Sequence, residues 1–165
     1  LCSIAFMRSK FPDHAIFLIV YTMVSAWVGD AGAYFVGTFF GKHKMCPAIS
    51  PKKTWEGFVG GIVTSGVFAV IMSFAYELID SMINGGVHTF SVNWVYLTVM
   101  ALVISGLGVV GDLSASLVKR ECSVKDFGNI LPGHGGILDR FDSVLLAAPF
   151  AYMMFQIYFP ITPIA

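Results

Sequence analysis

The sequence predicts an all-α, polytopic integral membrane bundle, with about four transmembrane helices in its 165 residues. Three observations carry that expectation. Hydrophobic residues make up 56% of the chain and charged residues 12%, against roughly 45–50% and 25% in soluble domains, and mean hydropathy is +0.77. The charges cluster, leaving none in 57–76, 93–111 or 143–165, and a span needs only about 20 apolar residues. No apolar segment alternates polar and apolar positions as a half-buried strand would. The same composition excludes disorder. Ten basic residues balance ten acidic ones, so no basic excess points to nucleic acid as a partner. Cys2, Cys46 and Cys122 lie far apart without a CxxC pair and read as incidental thiols.

The elements follow in order. Leu1 to Met7 reads as the tail of an earlier span, so residues 1–165 are expected to form one membrane-embedded domain that lacks N-terminal transmembrane helices. The first span is placed at about 14–41, where Asp30 interrupts an apolar run and leaves open a broken or re-entrant segment. The others are placed at about 55–79, 93–118 and 138–160. Eight of the ten cations fall in or beside the first and third connections, and the 80–92 connection has none. The positive-inside tendency puts the cation-rich side in the cytoplasm.

Charged groups inside spans cost at least about 2.5–3.5 kcal/mol on insertion scales and normally face a bundle interior or wet cavity. Asp112 lies near the cytoplasmic end of the third span and shares a helical face with Ser116 and Lys119. Asp139 and Asp142 open the fourth span on one face. A helix dipole accounts for one such acid, but poorly for three that converge. Pairing with Lys119, Arg120 and Arg140 is one reading; the preferred one is a magnesium site, since magnesium takes one or two carboxylates plus substrate phosphates. Ahead of the fourth span, Gly133, His134, Gly135 and Gly136 follow Lys119, Arg120, Lys125 and Asp126. Cations, a glycine-rich turn and a helix start together suit a polyphosphate. In the first connection, Ser50, Lys52, Lys53 and Thr54 precede a helix start. They suit phosphates too, although lysines can instead touch anionic lipid and Thr54 can simply cap the helix.

These blocks resemble a known family. Ser116-x-Val118-Lys119-Arg120, Lys125-Asp126-x-Gly128 and Leu131-Pro132-x-His134-Gly135-Gly136-Ile137-x-Asp139-Arg140-Phe141-Asp142 are similar to the signature of the phosphatidate cytidylyltransferases. Ser50-Pro51-Lys52-Lys53-Thr54-Trp55-Glu56-Gly57 is similar to that family's second block, and Asp30-x-x-Ala33-Tyr34 also fits. The resemblance implies a nucleotidyltransferase of phospholipid biosynthesis: CTP + phosphatidate gives CDP-diacylglycerol + diphosphate. It implies magnesium, with potassium as an optional second cation, and compatibility with a homodimer. The setting would be the membrane (the inner or plasma membrane if the source is bacterial), with the active site on the cytoplasmic face. It further implies metal ligation by Asp112, Asp139 and Asp142. Lys119, Arg120, Lys125, Asp126, His134 and Arg140 would be catalytic, and Ser50, Lys52, Lys53, Thr54, Ser116, Gly133, Gly135 and Gly136 would bind substrate. Two rivals are a CTP-using lipid kinase, which would release CDP, and a transporter with Asp30 and Asp112 as ion ligands, for which Glu77 and Asp80 would mark the outer end.

Overall fold

The computed structural model describes residues 2–47, 49–122, 124 and 141–164, with Pro51 through its backbone alone. In lipid a backbone must satisfy its own hydrogen bonds, and the long apolar runs accordingly form helices. The described elements are α1 (Cys2–Lys10), α2 (Ala15–Phe40), α3 (Trp55–Ile83), α4 (Trp94–Glu121) and α5 (Val144–Ile157). α2, α3 and α4 are each long and apolar enough to cross a membrane, and the fold is the all-α membrane bundle that composition predicts. α2 runs unbroken through Asp30. α5 has 14 described residues, about 21 Å at 1.5 Å per residue, and the expected start of the fourth span near 138 lies outside the described residues.

Two short antiparallel pairs, which the sequence did not signal, occupy connections. β1 (Lys44–Cys46) pairs with β2 (Ser50–Thr54), and β3 (Phe90–Val92) pairs with β4 (Ile161–Pro163). They sit at opposite ends of the bundle. α2 and α4 finish, and α3 and α5 begin, at the β1–β2 end.

The helices pack in two styles. Tyr21, Leu18, Leu97, Ile104, Val144, Phe155 and Met7 form a fully buried core shared by α1, α2, α4 and α5. α3 contributes small residues instead. Gly57, Gly61, Ser65, Ala69 and Ser73 recur every four residues and are all buried, so they line one face. That face meets Gly29, Ala33 and Gly37 of α2, also four apart. A Cβ at Gly61 would lie 2.5 Å from the Gly29 carbonyl oxygen, and one at Gly57 would lie 2.5 Å from that of Ala33. Small residues at this spacing let transmembrane backbones touch, which is where packing energy arises when lipid tails are as apolar as leucine. Ser65 Oγ lies 3.1 Å from the carbonyl oxygens of both Ser25 and Ala101, and so sits between α2 and α4. The outer side of α3 exposes Val59, Val63, Val67, Ile71 and Phe74, as a lipid-facing surface does.

At the β3–β4 end, acids hold the connection in place. Asp80 is buried and accepts hydrogen bonds from Asn84 Nδ2 (2.7 Å), the Thr89 amide (2.7 Å) and the Thr89 hydroxyl (2.6 Å). Glu77 accepts from the Val92 amide at 2.6 Å. Gly85 and Gly86 supply the positive φ values, 67° and 94°, that turn the chain after α3. These acids are loop staples, which removes the outer-end ion ligands that the transporter reading needs.

Replacing Gly61 by leucine should force α2 and α3 apart and cost about 1–3 kcal/mol, the range for overpacking. Thermal unfolding in detergent, followed by tryptophan fluorescence, should show a clear fall for Gly61→Leu and little change for the lipid-facing Val67→Leu.

Candidate active site

The site is assembled where the β1–β2 hairpin meets the bundle. Thr54 ends β2 and caps α3: its backbone is extended and its Oγ1 accepts from the Gly57 amide at 3.1 Å. The Thr54 side chain is buried against Gly37 and Gly41 of α2, where any Cβ would collide with it. The hairpin is tied to α3 a second time. His43 carries its amide and Nδ1 to Glu56, the ring at 2.6 Å, and the Trp55 amide donates to the His43 carbonyl at 3.0 Å. Thr54 therefore fixes the helix start, as the capping reading of this block allowed, and its fixed position presents Lys52 and Lys53 to the bundle.

Between hairpin and helices lies a cavity of about 270 Å³. Asp30 reaches it from α2, Lys52, Lys53 and Thr54 from the hairpin, Gly57 and Phe58 from α3, Val109 and Asp112 from α4, and Asp142 from the turn ahead of α5. Ala33, Tyr34 and Met45 complete the wall. Asp112 is nine residues from the end of α4, or about 14 Å along the axis. α4 has 28 residues, about 42 Å, and so exceeds a hydrocarbon core of about 30 Å. The cavity is thus recessed from the helix ends yet near the polar boundary.

Charge is compensated inside it. Lys53 Nζ lies 2.7 Å from Asp112 Oδ2 and donates to the Val109 carbonyl at 3.2 Å. Lys119 Nζ lies 3.9 Å from Asp142 Oδ2, both side chains being largely buried. Asp142, in the turn outside the helices, has its carboxyl pushed above the usual range, first by burial and then by the negative charge of Asp112. Asp112 and Lys53 are also the charged neighbours of Asp30. The close approach of α4 to the turn comes from Gly111, where a Cβ would lie 2.7 Å from the Asp142 carbonyl oxygen.

The expected residues divide as follows. Lys52, Lys53, Thr54, Asp112 and Asp142 line one cavity, with Lys119 beside Asp142. Ser50 is half-buried in β2, Ser116 half-buried on α4, and Arg120 exposed in the last turn of α4. None of these three lines the cavity. Lys125, Asp126, Gly133, His134, Gly135, Gly136, Asp139 and Arg140 lie outside the described residues. Asp30 also belongs to the cavity, although the sequence expectation gave it a ligand role only in the transporter reading; its charge inside a span was the available signal. The ion-pairing alternative for the acids is realised in part by Lys119, and in part by Lys53, which sequence reasoning had reserved for phosphate.

The donor set can be judged for a hard cation. Among the described residues, no three His, Cys, Asp or Glu side chains form a ready metal cage. Asp112 and Asp142, close enough to raise the proton affinity of Asp142, nevertheless suit magnesium, which is held through one or two carboxylates with phosphates completing its shell. Replacing Thr54 by alanine should remove the α3 cap and cost about 1 kcal/mol. Thr54→Ser should recover most of it, as read by thermal unfolding in detergent.

The chain is 45% identical over 146 residues to the phosphatidate cytidylyltransferase of Bacillus subtilis, covering 88% of this chain and 50% of that protein. It is 43% identical over 142 residues to the enzyme of that name from Haemophilus influenzae (84% and 46%). With that of Staphylococcus aureus it shares 44% over 132 residues (79% and 46%). The chain spans about half the length of these relatives. A match to the cytidylyltransferase family profile runs from residue 1 to residue 158, taking in every element that builds the cavity, and the chain therefore belongs to the cytidylyltransferase family.

Proposed function

We propose that this chain is the part of a CTP:phosphatidate cytidylyltransferase that carries its reacting groups, joining CTP and phosphatidate to give CDP-diacylglycerol and diphosphate. The observation that carries the reading is the recessed cavity in which Asp30, Asp112 and Asp142 meet Lys52 and Lys53 at one end of an apolar bundle. Relatives at 43–45% identity bear the name of that enzyme, and the cation-rich connections favour the cytoplasmic face for the site.

The chemistry needs charge management more than it needs a base. A lipid phosphate is anionic near neutral pH and is itself the nucleophile. Its approach to the α-phosphorus of a triphosphate is opposed by charge repulsion. Asp112 and Asp142 would hold a divalent cation, with Asp139 as an expected further ligand. Bound there, magnesium would neutralise the phosphates and stabilise the leaving group. Lys52, Lys53 and Lys119 would bind and orient the anionic oxygens, and Arg120, Lys125, Arg140, His134 and the glycines at 133, 135 and 136 would complete the phosphate-binding surface. The apolar bundle leaves acyl chains in lipid while the headgroup enters the cavity. The proposal is an in-line displacement without a covalent enzyme intermediate. A second, monovalent cation is left out, since no donor set among the described residues calls for one.

Detergent-solubilised protein given phosphatidate, magnesium and CTP labelled at the α-phosphorus should move label into the lipid phase. Chelation of magnesium should abolish transfer. Asp112→Asn and Asp142→Asn should each lower the rate about 100-fold or more, as loss of a preorganised electrostatic group does. Label that appears only when the rest of a relative's length is joined to the chain would put part of the site outside these 165 residues. Release of CDP without labelled lipid, or a covalent cytidylyl-protein adduct, would overturn the reading.

A further inference from the structure

We propose that Lys53 is a built-in place-holder for the cation at Asp112, and that cation binding hands its ammonium over to the substrate phosphates. This rests on the cation site proposed above. It goes further by assigning Lys53 two successive partners, and so an order of events.

The geometry supports the first partnership directly. The Lys53 ammonium has three donors. α4 takes two of them, through Asp112 Oδ2 at 2.7 Å and the Val109 carbonyl at 3.2 Å. An oxygen that accepts an ammonium at 2.7 Å cannot also ligate magnesium at about 2.0–2.1 Å from the same direction. Asp112 also has Oδ1, so the hand-over is specific to a cation that takes the Oδ2 position, which Lys53 must then vacate. The side chains of Lys53 and Asp112 are 20% and 30% exposed, so neither charge is sealed from solvent and an incoming cation can reach the pair. The backbone beneath Lys53 is held, since Thr54 caps α3 and His43 is bonded to Glu56. What moves is therefore the four-carbon stem, a flexible carrier of a compact charge. Lys52 lines the same cavity, so a phosphate held there would draw the displaced Lys53 ammonium to its oxygens.

The arrangement also explains how several carboxylates share a small cavity before any cation arrives. Lys53 compensates Asp112, and Lys119 stands by Asp142. Once a cation occupies Asp112, the Lys53 ammonium is no longer tied to that carboxylate and is available to the triphosphate.

The test uses the full chain in detergent with Mn²⁺ as probe and free Mn²⁺ counted by electron paramagnetic resonance. Lys53→Met should bind Mn²⁺ about fivefold more tightly than the unaltered chain, the size expected when one partly exposed ion pair no longer competes. Lys53→Gln, which keeps a donor for the Val109 carbonyl, should behave alike, whereas Lys53→Arg should not gain affinity. Asp112→Asn should lose the site in every background. The lysine ammonium provides a second readout: diamagnetic Mg²⁺ should shift the ¹⁵Nζ resonance of Lys53, assigned by its absence in Lys53→Met, while amide exchange at residues 50–54 stays unchanged. Asp112-dependent binding that neither Lys53→Met nor Lys53→Gln tightens would overturn the hand-over alone. Absence of Asp112-dependent binding in all variants would overturn the cation site, and the hand-over with it.

Discussion

Backbone contact between α2 and α3 is the constraint on which the remaining structure depends. Gly29, Ala33 and Gly37 on one helix and Gly57 and Gly61 on the other leave no room for side chains between them. In lipid there is little hydrophobic gain from bringing two apolar helices together, so close packing has to supply it. That contact sets where α3 starts relative to α2, and hence where Thr54 sits. Thr54 in turn fits against Gly37 and Gly41. The hairpin, its two lysines and the wall of the cavity are all placed by an interface made almost entirely of missing side chains.

The two ends of the bundle use acids in opposite ways. At the β3–β4 end, Asp80 and Glu77 have their oxygens occupied by backbone amides, Asn84 and Thr89. Their negative charge is spent on holding a loop. At the β1–β2 end, Asp30, Asp112 and Asp142 face a shared cavity; Asp112 is paired with Lys53, and Asp142 stands near Lys119 while its other oxygen accepts from the Ser143 amide at 2.9 Å. A lysine can be displaced by another cation; a backbone amide cannot move away without unfolding the loop. The first end is therefore fixed, whereas at the other the Lys53 partner of Asp112 is one that another cation can replace.

The fold class was legible because a charge-free run of twenty residues leaves the backbone no alternative in lipid. The convergence of Asp112 and Asp142 was legible as well, since each lies at the same end of adjoining helices. The role of Asp30 was half legible: its charge flagged the position, but helical periodicity alone does not say which neighbour a buried acid faces. The two strand pairs were hidden because strands of three to five residues are too short to show a period. The Lys53–Asp112 pair was hidden because it joins distant parts of the chain, and only the register of α3 against α4 brings it about. The eight expected residues at 125, 126, 133–136, 139 and 140 rest on sequence alone.

Ser65 gives the bundle one more property. Its hydroxyl stands equally far, 3.1 Å, from a carbonyl of α2 and a carbonyl of α4, and it has a single proton to give. Whichever oxygen receives that proton, the count of hydrogen bonds is the same. A small slide of α2 past α4 thus trades one acceptor for the other at almost no enthalpic cost. Buried among small residues, Ser65 ties three helices together through one hydroxyl, and the strength of that tie does not depend on the exact offset of the two helices that carry Asp30 and Asp112.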